Sequence, residues 1–151
     1  MIAAMKVCSA YFRGSEIYIS SSAKSTFGIH NNCEPFFKLS QPISPHELGQ
    51  KVLEALECYR EGVPGKRYVR GVKHPPDPLL VFSGFRSWRA FEKSACHVLI
   101  SSNGSEVEIT PSVPSPKGGN LYRPEKAVRC QVHPEEIGNL LLVCCPVNKW
   151  G

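Results

Sequence analysis

The stretch Ile43-Ser44-Pro45-His46-Glu47-Leu48-Gly49 carries several signals of a helix start, and it occurs a second time near the C-terminus. Ser44 suits the N-cap, Pro45 suits the first helical position, and Glu47 can complete a capping box three residues after the serine. The hydrophobic residues on either side of this cap can close a hydrophobic staple. The pattern predicts a helix that begins at Ser44.

The second copy reads Val132-His133-Pro134-Glu135-Glu136-Ile137-Gly138, with a histidine, a poorer cap, in the place of the serine. Gly49 and Gly138 fall at the same point of the second helical turn, where glycine costs roughly 1 kcal/mol relative to alanine. Two glycines at one repeated position indicate that each helix passes close to another backbone, which we expect to be a sheet. The alternative interpretation is coincidence between two ordinary helix starts.

Length and composition favour a single domain that spans residues 1–151. The chain has 42% hydrophobic and 21% charged residues, as ordinary soluble domains do. No apolar segment of signal-peptide length opens it, and the longest apolar run, residues 140–147, is too short to cross a bilayer. The odd count of seven cysteines favours reduced thiols and a cytoplasmic location. A net charge of +5 permits a nucleic-acid or acidic partner without requiring one.

The first half, about residues 1–62, reads as several strands followed by the repeated helix. Alternating and β-branched residues predict strands, and Asn31-Asn32 predicts a turn after the third of them. The strands are expected at residues 5–13, 16–22, 26–30 and 36–43. The helix that follows is expected to end at Gly62.

The second half, about residues 84–151, repeats this scheme after a short helix at residues 87–95. Asn103-Gly104 predicts a hairpin turn, and residues 111–120 predict a mobile loop because they are rich in proline and glycine. Strands are expected at residues 97–101, 106–110, 121–123 and 127–132, and a last helix follows. The predicted class is therefore α+β, with two duplicated, antiparallel, strand-rich halves that each end in a helix.

Residues 63–83 form a basic connector between the halves. Positive charge with an interleaved aromatic residue can bind nucleic acid, but it is also typical of a solvated loop or of a docking patch for an acidic protein. A bound strand needs several stacking aromatics, and the basic stretch at residues 66–73 supplies only Tyr68, so we favour protein docking. The residues concerned are Lys66, Arg67, Tyr68, Arg70 and Lys73.

The chain lacks the usual sequence signatures of catalysis, including a phosphate loop, a dinucleotide fingerprint and a nucleophile elbow. Cys130 and His133 have metal-ligand spacing but no matching second pair, so a strand cysteine beside a helix-capping histidine is the simpler interpretation. Cys96 and His97 should project to opposite faces of a strand, which does not suit a nucleophile and its base. We therefore expect a protein that is not an enzyme, with no catalytic residue, metal or cofactor.

Several short motifs recur in the order and spacing of a known family. They are Thr26-Phe27-Gly28-Ile29-His30, Ser44-Pro45-x-Glu47-Leu48-Gly49, Ser87-Trp88-x-x-Phe91-x-Lys93, Ile109-Thr110-Pro111 and Pro134-x-Glu136-Ile137-Gly138. Over most of its length the chain resembles the CdiI-type immunity proteins of bacterial contact-dependent growth inhibition systems. It departs from the family pattern at His133 and in the basic connector.

The resemblance implies a cytoplasmic protein that binds and neutralises the C-terminal toxin domain of a cognate CdiA-type effector, with no membrane partner. Some family members are similar in fold to Whirly-type single-stranded nucleic-acid-binding proteins, so a Whirly-like fold is expected. Nucleic-acid binding by such a fold is the alternative function, because fold does not carry function with it. The candidate toxin-binding residues are the five residues of the connector named above and an acidic set, Glu54, Glu57 and Glu61.

Overall fold

The computed structural model of the protein describes residues 5–65, 70–71, 77–92, 95–114 and 120–144, and one largely antiparallel sheet runs through them. Its strands are β1 Lys6–Arg13, β2 Glu16–Ser25, β3 His30–Ser40, β4 Arg60–Val63, β5 Cys96–Ser102, β6 Glu106–Pro114, β7 Asn120–Tyr122 and β8 Val128–Gln131. The helices are α1 Pro45–Glu57, α2 Pro78–Ser83, α3 Trp88–Glu92 and α4 Pro134–Cys144. The predicted α+β class is confirmed.

Strands β1 and β5 form the middle of the sheet and join the two halves of the chain. The order across the sheet is β3-β2-β1-β5-β6-β7, with β4 parallel to β2 and β8 antiparallel to β6. The register of the central pair sets Tyr11 opposite His97 and Ala10 opposite Val98. Because side chains alternate along a strand, these two pairs project from opposite faces of the sheet.

Helices α1 and α4 cover the first face and enclose the main hydrophobic core. Ala10, Phe12 and Val98 from the sheet pack there with Leu48 and Ile137 from the two helices. The core residues of both helices recur at three- and four-residue spacing, which gives each helix one apolar stripe. The first face is therefore a closed apolar layer.

The two repeated glycines bring the first turns of α1 and α4 into backbone contact. A Cβ atom placed on Gly49 would lie 1.8 Å from the carbonyl oxygen of Pro134, and one on Gly138 would lie 1.8 Å from that of Pro45. The prediction that each glycine passes close to another backbone is correct. The expected neighbour, a sheet, is wrong, because each helix packs on the first turn of the other.

The two helix starts use different caps. At α1, the Ser44 hydroxyl accepts a hydrogen bond of 3.1 Å from the Glu47 N–H, as predicted. Both helices open with the same backbone bond, which the Leu48 N–H donates to the Ser44 carbonyl at α1 and the Ile137 N–H donates to the His133 carbonyl at α4, each at 3.1 Å. At α4 the Glu136 carboxylate reaches back and accepts from the Gln131 N–H at 3.2 Å. A carboxylate thus ties the second helix to the strand before it.

The short helices α2 and α3 cover part of the second face. Leu79, Leu80 and Phe91 pack there against Tyr11 and Tyr18 of the central strands. Helix α2 lies inside the segment predicted to be a connector, and its ends are well defined. Asp77 caps it by accepting from the Leu79 N–H at 2.8 Å, and Gly84 ends it with a φ of 81°.

Three local predictions are wrong because long-range pairing overrides the local pattern. Asn31 and Asn32 do not form a turn, since they pair with Ala23 and Ser22 inside the continuous strand β3. The turn lies at residues 26–29 instead, where Gly28 has a φ of 81°. Helix α1 ends at Glu57 rather than Gly62, because the chain then turns to pair in parallel with β2.

Two further predictions are revised in the second half. Residues 111–114 continue β6 instead of opening a loop, and residues 115–119 lie outside the described residues. Cys96 is disulfide-bonded, so the expectation that the thiols are reduced is wrong for this residue. The free cysteines among the described residues are Cys8, Cys33, Cys58, Cys130 and Cys144.

No helix in the described part of the chain is long and apolar enough to cross a membrane.

Replacing Gly49 by alanine tests the helix contact. The new methyl group would overlap the backbone of Pro134, which cannot rotate aside as a side chain can. We expect a loss of about 3 kcal/mol, the upper end for overpacked sites, and a Tm lower by about 10 °C. Gln50→Ala, at the exposed neighbouring position of the same helix, is the control. Equal denaturant midpoints for the two variants would contradict the close approach.

Candidate functional site

Four of the five candidate residues of the predicted basic connector lie outside the described residues. They are Lys66, Arg67, Tyr68 and Lys73, whereas Arg70 is described and exposed. The connector follows directly after Val63 and Pro64 at the end of β4. Its role in recognition stays a prediction.

The predicted acidic set is divided between two elements, and each member already has a partner. Glu54 and Glu57 lie on α1, where they pair with Lys51 at 3.4 Å and Lys6 at 3.3 Å. Glu61 lies on β4 and accepts from the hydroxyl of Tyr59 at 3.0 Å. All three carboxylates are exposed, and exposed ion pairs contribute about 0–1 kcal/mol, so they can exchange partners readily.

A cleft of about 550 Å³ opens where β2 ends and the turn at residues 26–29 begins. Phe27 and Ile29 are 55% and 58% exposed at this cleft, which is unusual for large apolar side chains. We call it the apolar cleft. Its lining includes Phe27, Ile29, Arg60, Val63, Pro64 and Pro78.

Backbone hydrogen bonds hold the turn of the apolar cleft in place. The Ser25 N–H donates to the Ile29 carbonyl at 2.8 Å, and the Thr26 N–H donates to the Val63 carbonyl at 2.9 Å. The Phe27 ring lies so close to Gly65 that a Cβ there would be 2.2 Å from it. The side chains of Phe27 and Ile29 therefore extend from a backbone that is held in place. No local sequence pattern predicts this surface, because residues 26–30 read as a strand.

A second opening of about 760 Å³ lies next to the apolar cleft and shares Arg60 with it. Phe36 of β3 and Phe82 of α2 line this opening, and their ring centroids are 5.5 Å apart. Phe82 is 42% exposed. Exposed apolar side chains thus extend from the 26–29 turn to α2, and Arg60 lies between the two openings.

A third cavity, of about 250 Å³, lies on the second face of the sheet. We call it the histidine pocket. Its lining includes Ser9, Tyr11, Ser22, Asp77, Trp88 and His97. These residues come from three strands, the start of α2 and the start of α3, so no local sequence pattern could reveal the pocket.

His97 is the most unusual residue of this pocket. It is 5% exposed, and neither of its ring nitrogens has a hydrogen-bond partner among the described residues. Its ring stacks on Tyr11 at 4.4 Å between centroids. Burial lowers the pKa of His97 to about 4, so the imidazole is neutral at pH 7. Cys96, by contrast, packs in the core of the first face, which confirms that the two neighbours project to opposite faces.

Cys130 and His133 lie in different surroundings. Cys130 is half-buried against the first-face core, and burial together with the Glu136 carboxylate raises the pKa of its thiol. His133 is exposed at the N-terminus of α4. Within the described residues, no three histidine, cysteine or acidic side chains converge as metal ligands would.

Comparison with known proteins gives a match in fold. No family model matches the chain, and no curated protein matches it in sequence. The structure is similar to a chain of a CdiA-CT/CdiI toxin and immunity complex from Yersinia pseudotuberculosis, with a TM-score of 0.68 and 20% identity. That match covers 95% of this chain and 97% of the other. The two chains share a fold.

A second solved structure has the same architecture. It is a protein of unknown function from Neisseria meningitidis, with a TM-score of 0.71, 19% identity and 95% of each chain covered. Because both matches span nearly the whole chain, the similarity includes the sheet and both long helices. At these identities it concerns the fold alone.

The buried imidazole of His97 predicts a pH-dependent stability. The unfolded chain binds a proton at this residue near pH 6.5, whereas the folded chain does so only near pH 4. Stability should therefore fall as pH drops from about 6.5 to about 4, by about 3 kcal/mol from this residue. His97→Phe keeps a ring of similar size and should remove this part of the dependence of stability on pH.

Urea unfolding of the wild type and of His97→Phe between pH 4 and pH 8 measures this difference. Asp77 and His30 line the same pocket and titrate in both proteins, so only the difference reports on His97. At pH 7 the variant should be at least as stable, because an unpaired buried polar group costs about 1–3 kcal/mol. His46→Phe, at an exposed position, is the control. A pH slope unchanged by His97→Phe would contradict the neutral, buried imidazole.

Proposed function

We propose that this protein is an immunity protein that binds the C-terminal toxin domain of a cognate contact-dependent growth inhibition effector and neutralises it in the cytoplasm. The observation that carries the proposal is the fold match to a chain of a toxin and immunity complex over 95% of this chain. The family motifs in the sequence support it independently. On this proposal the protein neutralises the toxin by binding to it and performs no catalysis itself.

We also propose that the two halves are duplicated copies arranged as in Whirly-type proteins. The reciprocal contacts of Gly49 with Pro134 and of Gly138 with Pro45 support this relationship. The order of strands followed by a helix in each half supports it too. The duplicated region would comprise β1 to α1 and β5 to α4, joined through the central pair of strands.

We place the toxin-binding surface at the apolar cleft and the basic connector that follows it. Large exposed apolar groups beside an arginine are typical of interface hot spots, and Phe27, Ile29 and Arg60 provide them. The connector adds positive charge directly after the cleft residue Pro64. A toxin surface with an apolar centre and an acidic margin would complement both. The acidic set on α1 and β4 is the less favoured surface, because its carboxylates are already paired.

The first test is binding and protection. On this proposal, the candidate toxin would be the C-terminal domain of a large exported effector whose gene lies beside that of this chain. We expect a one-to-one complex by analytical ultracentrifugation and growth of cells that express both proteins. An immunity protein from a different toxin system is the control and should not protect. Protection without a complex would argue for an enzymatic mechanism instead.

The second test locates the surface. Phe27→Ser combined with Ile29→Ser should weaken the toxin complex at least tenfold, mainly through faster dissociation, because it removes apolar anchors. Both side chains are more than half exposed, so the fold should persist. Val143→Ser is the matched control, since Val143 is 76% exposed on α4, away from the cleft.

Charge reversal of the connector should act differently. Lys66→Glu with Arg70→Glu should slow association and alter its salt dependence while leaving the fold intact, because charges at an interface margin mainly steer encounter. Glu54→Lys with Glu57→Lys tests the acidic set in the same assay. If toxin affinity is unchanged in the cleft and connector variants and falls in the acidic-set variant, the toxin-binding surface lies on α1 instead.

A further inference from the structure

The histidine pocket has a polar floor within the sheet and a wider, more exposed rim. Ser9, Tyr11, Ser22 and His97 form the floor, and all are less than a tenth exposed. Tyr122 at the rim is 43% exposed, and its ring meets His97 edge-on at 5.7 Å. A volume of about 250 Å³ exceeds the roughly 30 Å³ of one water, and it lies just below the roughly 300–1,000 Å³ of pockets for drug-sized molecules. The pocket therefore suits a small molecule.

The charges around the pocket exclude an anionic ligand. Asp77 places a carboxylate at the wall, and the described lining contains no lysine or arginine. This carboxylate accepts from the Leu79 N–H at 2.8 Å and also from the side chain of Asn32. Because those partners hold Asp77 in its capping role, it is poorly placed to bind a cation as well.

His97 further restricts which hydrogen-bonding groups the ligand can carry. A neutral imidazole has one N–H donor and one acceptor nitrogen, and both lack a partner among the described residues. An ammonium or guanidinium group offers donors only and leaves the imidazole N–H unpaired. A ligand that satisfies both nitrogens must present a donor and an acceptor together. The hydroxyls of Ser9 and Ser22, which also line the pocket, can serve in either role.

The ring side chains favour a flat ligand. Trp88 and Tyr11 lie with centroids 6.2 Å apart, and Tyr11 stacks on His97, so aromatic surfaces follow one another along the pocket. Bases bound by proteins are held by stacking and by hydrogen bonds to their mixed donor and acceptor edges. We propose that the histidine pocket binds an uncharged, planar heteroaromatic ligand of the nucleobase or nucleoside class. The pocket borders the apolar cleft and shares Asn31, Asn32 and Asp77 with it, whereas His97, Ser9 and Ser22 line the pocket and not the cleft.

Isothermal titration of the full chain with adenosine, guanosine, cytidine and uridine tests the proposal. We expect one-to-one binding of at least one nucleoside with a Kd below about 1 mM. His97→Phe should weaken it at least tenfold while keeping the ring stack on Tyr11. Asn31→Ala, at the exposed rim, should weaken it without disturbing the core. His46→Phe is the control and should bind like the wild type.

A second arm identifies the source of the base by titrating single-stranded oligonucleotides of four to eight residues. Tighter binding of a strand than of its nucleoside, lost in His97→Phe, supports the proposal and assigns the base to a nucleic acid. Binding of the nucleoside alone supports a free ligand. The proposal is overturned if none of the nucleosides or strands binds at about 1 mM, or if binding is the same in His97→Phe. Because the chain is tested without a toxin, either result leaves the immunity function to its own experiment.

Discussion

The backbone contact between α1 and α4 is the constraint on which the rest of the structure depends. Gly49 and Gly138 let each helix approach the carbonyl of the proline that opens the other. At that separation no larger residue fits, so the two helices have one relative position. Their apolar stripes then meet the first face of the sheet together, with Leu48 and Ile137 fully buried over the central strands. The contact thus joins two regions that are far apart in the chain.

Closing the first face in this way leaves the second face free for other uses. Alternation along β1 and β5 sends Ala10 and Val98 into the closed core, while Tyr11 and His97 face the other side. There, short helices cover only part of the sheet, and buried hydroxyl and imidazole groups remain accessible through a pocket. Leu79, Leu80 and Phe91 pack on one part of this face, and polar side chains line the pocket beside them. The polar floor is consistent with a ligand site.

The exposed apolar residues occupy a third region, at the end of β2 and along α2. Exposing large apolar side chains to water is unfavourable, and a contiguous patch of them is typical of a surface that binds a partner. Phe27 and Ile29 lie on a turn whose backbone is held by hydrogen bonds. A preformed surface of this kind binds without first ordering a loop. The partner that we propose for this surface is a toxin domain. The modest positive charge of the chain then favours an acidic one.

The sequence by itself determined the features that depend on neighbouring residues. The Ser44 cap, the proline at each first turn, the hairpin between β1 and β2 and the repeated glycines were all readable, because caps and tight turns are local interactions. Only the tertiary structure decided that Asn31 and Asn32 lie in a strand, because their ladder partners come from β2. It also decided that each glycine faces the first turn of the other helix rather than a sheet. His97 and Ser22 meet in one pocket only because non-neighbouring segments converge there, and no local pattern records such a convergence.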